Sequence, residues 1–311
     1  MNIKKSFYAW TDIYFYNPGI FEHFLSIIFT PISSFYAFCV SLKRYFIKPV
    51  KFRVPIISIG NLILGGSGKT PLTKAIFELF SQKYRTFIIL RGYKRKSKGL
   101  VLVCENGKIL CDCDDSGDEA MEYALFCARA NVIVSEDRII GINEAIKRGA
   151  ELILLDDGFG KFGIEKFNIL LYPSIKPASN LCIPSGAYRY PKSYYALADF
   201  IPQNDDIINE NEILNASEKM LLVTGIANAQ RLKFAFEKCI GHEFFADHYD
   251  FKKDELEALI KKYNATSILV TAKDFVKIKN FGLELSLLVL KTKLSQNFKS
   301  SLENYVKSFK D

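Results

Sequence analysis

Histidine is scarce in this chain, and no cysteine pattern makes up for it. The 311 residues include three histidines, His23, His242 and His248, and seven cysteines that form no pair of C-x-x-C motifs. Cys111 and Cys113 stand two apart, and Cys104 and Cys127 are too scattered to suggest zinc, so the cysteines read as reduced cytosolic thiols. No internal repeat or low-complexity tract is present. With 49% hydrophobic and 24% charged residues, the composition is that of a well-cored globular protein with room for two domains or one large one. A clear small-residue cleavage site is also missing, and the first apolar stretch starts late, which argues against a cleaved signal peptide.

Acidic residues are few near the N-terminus. Residues 1–53 hold seven basic side chains against Asp12 and Glu22, so this segment supplies five of the net +8 charges. Basic charge this local points to a specific anionic surface more than to nucleic acid. Trp10, Tyr14, Phe15, Phe21, Phe24, Phe35 and Phe38 fall in the same segment, and residues 24–42 are almost free of charge. Serines and threonines interrupt that run, and Pro31 is expected to kink or break a helix there. A transmembrane span is marginal. The preferred reading is a pair of helices within 1–48 lying in the membrane interface, with the basic residues of 43–53 facing anionic lipid. Two ordinary helices packed on a core are the alternative.

Residues 60–70 read Gly-Asn-Leu-Ile-Leu-Gly-Gly-Ser-Gly-Lys-Thr and follow the apolar run Val54 to Ile59. A buried strand entering a glycine-rich turn that ends in Gly-Lys-Thr is suited to hold nucleotide phosphates. Backbone N–H groups of Gly65, Gly66, Ser67 and Gly68 face the anion, Lys69 adds a point charge, and the Thr70 hydroxyl can ligate Mg²⁺. The strict pattern would place a glycine at Ile63, so the loop is a variant form.

Continuous apolar strands alternate with helices from residue 54 onward. Strands are expected at 86–90, 131–134, 152–155 and 169–172, helices at 71–83, 117–130 and 137–148, and a hairpin around Asn106-Gly107. The pattern implies an α/β fold with a mostly parallel sheet covered on both faces, akin to phosphate-loop NTPases. A polar, acidic stretch at 203–217 fits a boundary, giving a first domain over 49–205 and a smaller α/β domain over 206–311. In the latter, strands are expected at 220–224, 243–246, 267–271 and 285–290, helices at 228–239, 253–263 and 295–309, the last free to dock back anywhere.

Asp156 and Asp157 close the strand at 152–155, where a carboxylate can hold Mg²⁺ opposite the loop threonine; a turn or helix cap is the bland alternative. The basic run Arg91 to Lys98 is a solvated loop or a phosphate contact. If a hydroxyl is the acceptor, Asp118, Asp137, Asp247 and His248 are all candidate bases, and a lone loop histidine is more often incidental.

Taken in order, Gly60-Asn61, Gly65 to Pro71, Leu90-Arg91-Gly92-Tyr93, Gly117-Asp118-Glu119, Asp137-Arg138, Leu154 to Phe159, Pro184-Ser185-Gly186 with Arg189, Gly225 to Asn228, Asp247-His248 and Thr271 to Asp274 resemble the tetraacyldisaccharide 4'-kinase family. The resemblance spans about residues 10–280. It implies transfer of the ATP γ-phosphate to the 4'-hydroxyl of a lipid A disaccharide precursor, with ATP and Mg²⁺ as cofactors, at the cytoplasmic face of the bacterial inner membrane. By the same resemblance, Lys69 and Arg189 contact phosphate, and Thr70, Asp156, Asp157 and Glu119 serve the metal. Asp118 is the base, oriented by His248. The implied partners are the lipid disaccharide and the membrane surface, with no nucleic acid, and a monomer is expected.

The chain departs from the family after Phe159, where Gly160 and Lys161 replace the usual Gln-His, and after Arg189, where Tyr190 replaces a glutamate. A membrane-cycling regulatory ATPase is the runner-up; Leu64 stands where its signature lysine belongs. The guanine-reading N-K-x-D motif is absent, which disfavours a GTPase.

Overall fold

The computed structural model describes residues 3–64, 68–226, 229–247 and 249–309. Its contacts define two compact units, Met1–Thr73 with Glu151–Asp206 and Ser295–Asp311, and Lys74–Ala150 with Ile207–Leu294. Each is α/β with mostly parallel strands.

The first unit opens with helices α1 (Ile3–Tyr16) and α2 (Ile20–Phe46). The expected pair of helices exists, but the break falls at residues 17–19, and α2 runs straight through Pro31. A helical proline removes one backbone bond and costs about 3 kcal/mol. Here residues on both sides of it are held from outside the helix. The Ser26 hydroxyl donates to the Ser185 carbonyl (2.8 Å), and the buried Ser33 hydroxyl accepts from the Ser185 N–H (2.9 Å). Farther along, the Tyr36 hydroxyl donates to the Arg189 carbonyl at 2.9 Å. The polar residues that interrupt the apolar run are therefore the docked side of α2. Its other side leaves Phe21, Phe24, Ile28, Phe35 and Phe38 half or more exposed. Among the described residues, α2 is the one helix long and apolar enough to cross a membrane.

Strand β1 (Ile56–Asn61) is wholly buried, as a continuous apolar run in a parallel sheet should be. It leads into α3 (Lys69–Ser81). On either side of β1 lie two parallel strands, designated β6 (Leu152–Asp156) and β7 (Phe167–Leu171). The register sets Ile59 opposite Asp156, so the ends of β1 and β6 share one edge. The last helix, α10 (Gln296–Lys307), docks on this unit through Phe298, Leu302 and Val306, a spacing of four that keeps one face inward. The Tyr305 hydroxyl bonds both the carbonyl (3.0 Å) and the N–H (3.3 Å) of Ile56.

In the second unit, β2 (Thr86–Leu90) pairs in parallel with β5 (Val132–Val134). The hairpin β3 (Val101–Glu105) and β4 (Lys108–Ile109) turns at Asn106 and Gly107, both at positive φ, as the Asn-Gly dipeptide predicts. Short α4 (Cys113–Ser116), α5 (Asp118–Phe126) and α6 (Arg138–Lys147) complete this stretch.

The rest of the unit builds a five-stranded sheet. Its strands are β8 (Ile207–Leu214), β9 (Met220–Thr224), β10 (Gly241–Phe244), β11 (Ser267–Thr271) and β12 (Leu285–Leu294), in the order β10-β9-β11-β12-β8. The acidic stretch at 207–214 is thus an edge strand, antiparallel to β12. Glu210 pairs with Lys293 at 2.6 Å, Glu212 with Lys291, and Asn209 with Thr292 at 2.8 Å, so cross-strand polar pairs replace an apolar face. The expected helix at 228–239 is shorter, a 3₁₀ turn at Ala229–Leu232 followed by α7 (Lys233–Phe236). Helix α8 (Lys253–Tyr263) lies where expected, but α9 (Ala272–Ile278) is an addition to the sequence reading.

Candidate active site

Beyond β1 the chain stays buried through Leu62 and Ile63, and the Leu64 N–H donates to the Ala187 carbonyl at 2.9 Å. Gly65, Gly66 and Ser67 lie outside the described residues. Gly68 has φ +83°, a region that favours glycine, and α3 begins at the next residue. Lys69 and Thr70 thereby sit in the first helical turn, where backbone N–H groups are free to meet an anion.

The Lys69 ammonium lies 3.3 Å from Asn61 Oδ1 and 3.6 Å from Asp157 Oδ1. Arg189 grips Asp157 with both arms, at 3.0 and 2.9 Å, and also donates to Asn61 Oδ1 at 2.7 Å. Burial alone would raise the Asp157 carboxyl, but Lys69 and Arg189 outweigh it and hold the group well below the usual carboxylate range. Burial likewise works against the Arg189 guanidinium, and the Asp157 pair more than offsets it. Two cations and one carboxylate therefore share one spot at the start of α3. An incoming polyphosphate would meet a net positive, rigidly held surface.

Asp156 is only 4% exposed, at the end of β6 beside β1. The motifs around it are shaped to each other. A β-carbon at Gly158 would fall 2.5 Å from Leu155 Cβ and 2.9 Å from Ser58 Oγ, and one at Gly60 would fall 2.7 Å from Phe159 Cβ. Both positions need glycine so that the two strand ends can meet closely. Thr70, in the first turn of α3, and Asp156, at the end of β6, carry oxygen atoms of the kind that a hard cation such as Mg²⁺ takes. No group of three or more His, Cys, Asp or Glu residues able to hold a metal occurs among the described residues.

The two departures at 160 and 190 form a fitted pair. A β-carbon at Gly160 would lie 1.8 Å from the Tyr190 hydroxyl. The Tyr190 ring packs edge-on against Phe159 (5.5 Å) and Phe162 (5.7 Å) and stacks with Tyr194 (6.3 Å). Gly160→Ala is expected to cost about 1–3 kcal/mol as an overpacked site. Adding Tyr190→Leu should recover part of that loss, which thermal unfolding of the single and double variants would read.

In the second unit, Asp118 opens α5 behind Gly117, whose φ of +83° again calls for glycine. Asp118 Oδ2 is 3.0 Å from Lys277 Nζ, and the Cys113 thiol donates to Asp118 Oδ1 at 3.6 Å. Burial first, and the Asp118 charge next, push that thiol up to about 12, so it stays protonated. Glu119 is half-buried in the same turn. The other candidate bases have visible structural roles. Asp137 caps α6 by accepting from the Ile139 N–H (2.8 Å), and Asp247 pairs with Lys273 at 2.9 Å. His248 lies outside the described residues.

Several motif residues serve the scaffold. Thr271 caps α9, and the buried Asp274 carboxylate accepts from Thr224 (2.7 Å), Thr271 (2.8 Å) and the Gly225 N–H (3.2 Å). Pro184-Ser185-Gly186 is the seat of α2. Within the basic run, Arg95 pairs with Glu136 at 2.6 Å and Lys96 with Asp114. All seven cysteines are free thiols. Two residues to which the sequence reading assigned no site role touch the candidate groups, Asn61 beside Lys69 and Arg189 and Lys277 beside Asp118. Asn61 carried a signal, as the last residue of the strand that enters the loop, whereas Lys277 falls in a helix that the sequence reading did not contain.

A lysine on the first turn after a glycine loop, with carboxylates at the end of a neighbouring parallel strand, defines a nucleotide-binding protein of the phosphate-loop class. Residues 25–308 match the family model described as LpxK, tetraacyldisaccharide-1-P 4'-kinase, and the chain belongs to that family. It is 46% identical over 309 residues to the tetraacyldisaccharide 4'-kinase of Campylobacter jejuni, covering 99% of both chains. The Aliarcobacter butzleri enzyme of that name is 41% identical, over 99% of this chain and all of its own length. A crystal structure of LpxK from Aquifex aeolicus in complex with ATP superposes with a TM-score of 0.76 at 26% identity, covering 91% of this chain and 99% of that one.

Proposed function

We propose that the protein transfers the γ-phosphate of ATP to the 4'-hydroxyl of a tetraacyldisaccharide 1-phosphate, a step of lipid A synthesis. The observation that carries this reading is the Lys69–Asp157–Arg189 cluster at the start of α3, together with the membership of the kinase family. Lys69 and Arg189 neutralise charge on the transferring phosphate, and the loop motif Gly65, Gly66, Ser67 and Gly68 is the phosphate-binding element that the family resemblance implies. Thr70 and Asp156 would hold Mg²⁺, with Glu119 as a further candidate; Asp157 serves chiefly by aligning Arg189. When bound, the ion supplies charge neutralisation between the outer phosphates. The 4'-oxygen attacks phosphorus, its bond to the bridging oxygen of ADP breaks, and the hydroxyl proton passes to Asp118. His248 would orient that carboxylate.

The exposed apolar side of α2 and the basic residues around 43–53 would seat a monomer on the cytoplasmic face of the inner membrane. Radiolabelled ATP offered with the lipid disaccharide in detergent, beside simple ATP hydrolysis, tests the whole reading. Label should enter the lipid, and Asp118→Asn should slow that transfer on the order of 10²-fold. Hydrolysis indifferent to the lipid would instead point to a regulatory ATPase.

A further inference from the structure

We propose that Lys277 is a positioning residue for phosphoryl transfer, fixing the Asp118 carboxylate at the start of α5; this rests on Asp118 being the base. The geometry is local to one unit. Lys277 and Asp118 are separated by more than 150 residues in sequence, yet their charged groups meet at 3.0 Å with side chains only 11% and 16% exposed. The lysine is itself held, because its ammonium also donates to the Tyr249 carbonyl at 3.0 Å. The Phe251 ring lies over it as well, its centroid 5.9 Å from the ammonium.

The helix bearing Lys277 is fixed in turn. Asp274, one turn earlier on α9, is anchored to the ends of β9 and β11 by the three bonds described above. Phe275 of the same helix packs on Phe126 at the far end of α5, with ring centroids 5.8 Å apart. Two helices thus meet at one ring contact and one ion pair, and the ion pair falls on the residue that opens α5. A surface ion pair would need no such support, since exposed pairs contribute little. This one is enclosed, and it occupies Oδ2. Oδ1 accepts from the Cys113 thiol at 3.6 Å, so both oxygens of the carboxylate are engaged by their own unit. A base must be held within about 0.5 Å of its productive position for efficient proton transfer.

The test compares Lys277→Met, Lys277→Arg, Asp118→Asn and Asp118→Asn/Lys277→Gln, all in the full chain with ATP and the lipid disaccharide. Lys277→Met should lower kcat about 10- to 100-fold while the KM for ATP stays within about twofold, and Lys277→Arg should restore most of the rate. Because the lysine acts through Asp118, adding Lys277→Gln to Asp118→Asn should leave the residual rate unchanged. That pair of variants also decides the matter if Lys277→Met fails to fold, since the neutral pair leaves no lone buried charge. Wild-type kcat in Lys277→Met, no recovery with arginine, or a further tenfold loss in the double variant would each overturn the proposal. A wild-type protein that leaves the lipid unlabelled, or an Asp118→Asn variant at full rate, would instead refute the kinase or base assignment on which it stands.

Discussion

Lys69→Ala is expected to lower phosphoryl transfer by on the order of 10³-fold or more while the protein stays folded. Lys69 is the cation in the first turn of α3, and in the proposed mechanism it meets the charge of the transferring phosphate. Asp157 does not lose its anchor when the lysine goes, because both of its oxygens remain bonded to Arg189. The melting temperature should therefore shift by only a few degrees, even as the chemistry collapses. Lys69→Arg is expected to rescue little, since a planar guanidinium cannot take the place of a compact ammonium already wedged between Asn61 and Asp157. Single-turnover transfer of labelled phosphate measures the effect. A residual rate above a tenth of wild type would remove Lys69 from the mechanism.

Turning the outer side of α2 polar is expected to release the protein from anionic vesicles. Phe24, Ile28, Phe35 and Phe38 are 60%, 50%, 68% and 60% exposed. Exchanging all four for glutamine should therefore leave folding nearly untouched. In a membrane interface each buried apolar side chain contributes about 1.5–3 kcal/mol, so the four together, even at the lower figure, correspond to a drop in partitioning of roughly 10⁴-fold. Sedimentation with vesicles reads this directly. Deleting residues 1–46 is a poorer experiment, because it strips Ser33, Tyr36 and Val40 from the core that they cover. If the fourfold variant still pelleted like wild type, α2 would be a helix of the protein core and nothing more.

The parts of the fold that were legible are those where one local signal decides the outcome. Ile56–Ile59, Thr86–Leu90 and Leu152–Leu155 are continuous apolar runs, and all are buried strands. What escaped depends on distant partners. Helix α9 is seven residues long, too short to be stable alone, and is held by the bonds that Asp274 makes to β9 and β11. Strand β8 has no apolar alternation to announce it, because its partner strand supplies lysines that reach diagonally to its glutamates, Lys293 to Glu210 and Lys291 to Glu212. Pro31 is tolerated for the same reason, since a serine on each side of it is gripped by Ser185. Within the site, the phosphate-loop lysine and the paired aspartates were readable as motifs. That Asp157 faces Arg189, and that Asp118 faces Lys277, required the folded chain.

The seating of α2 has a mechanical consequence. Ser185 holds the helix at two points, and the Arg189 carbonyl, four residues further along the chain, holds it at a third. Arg189 in turn clamps the carboxylate next to the donor lysine. With α2 lying in the lipid interface as proposed, the helix acts as a bracket and not as a tether. The reaction centre would ride at a set height above the bilayer, unable to bob on a flexible leash. Reach must then come from the acceptor, whose sugar has to rise out of the headgroup layer by a distance the protein dictates.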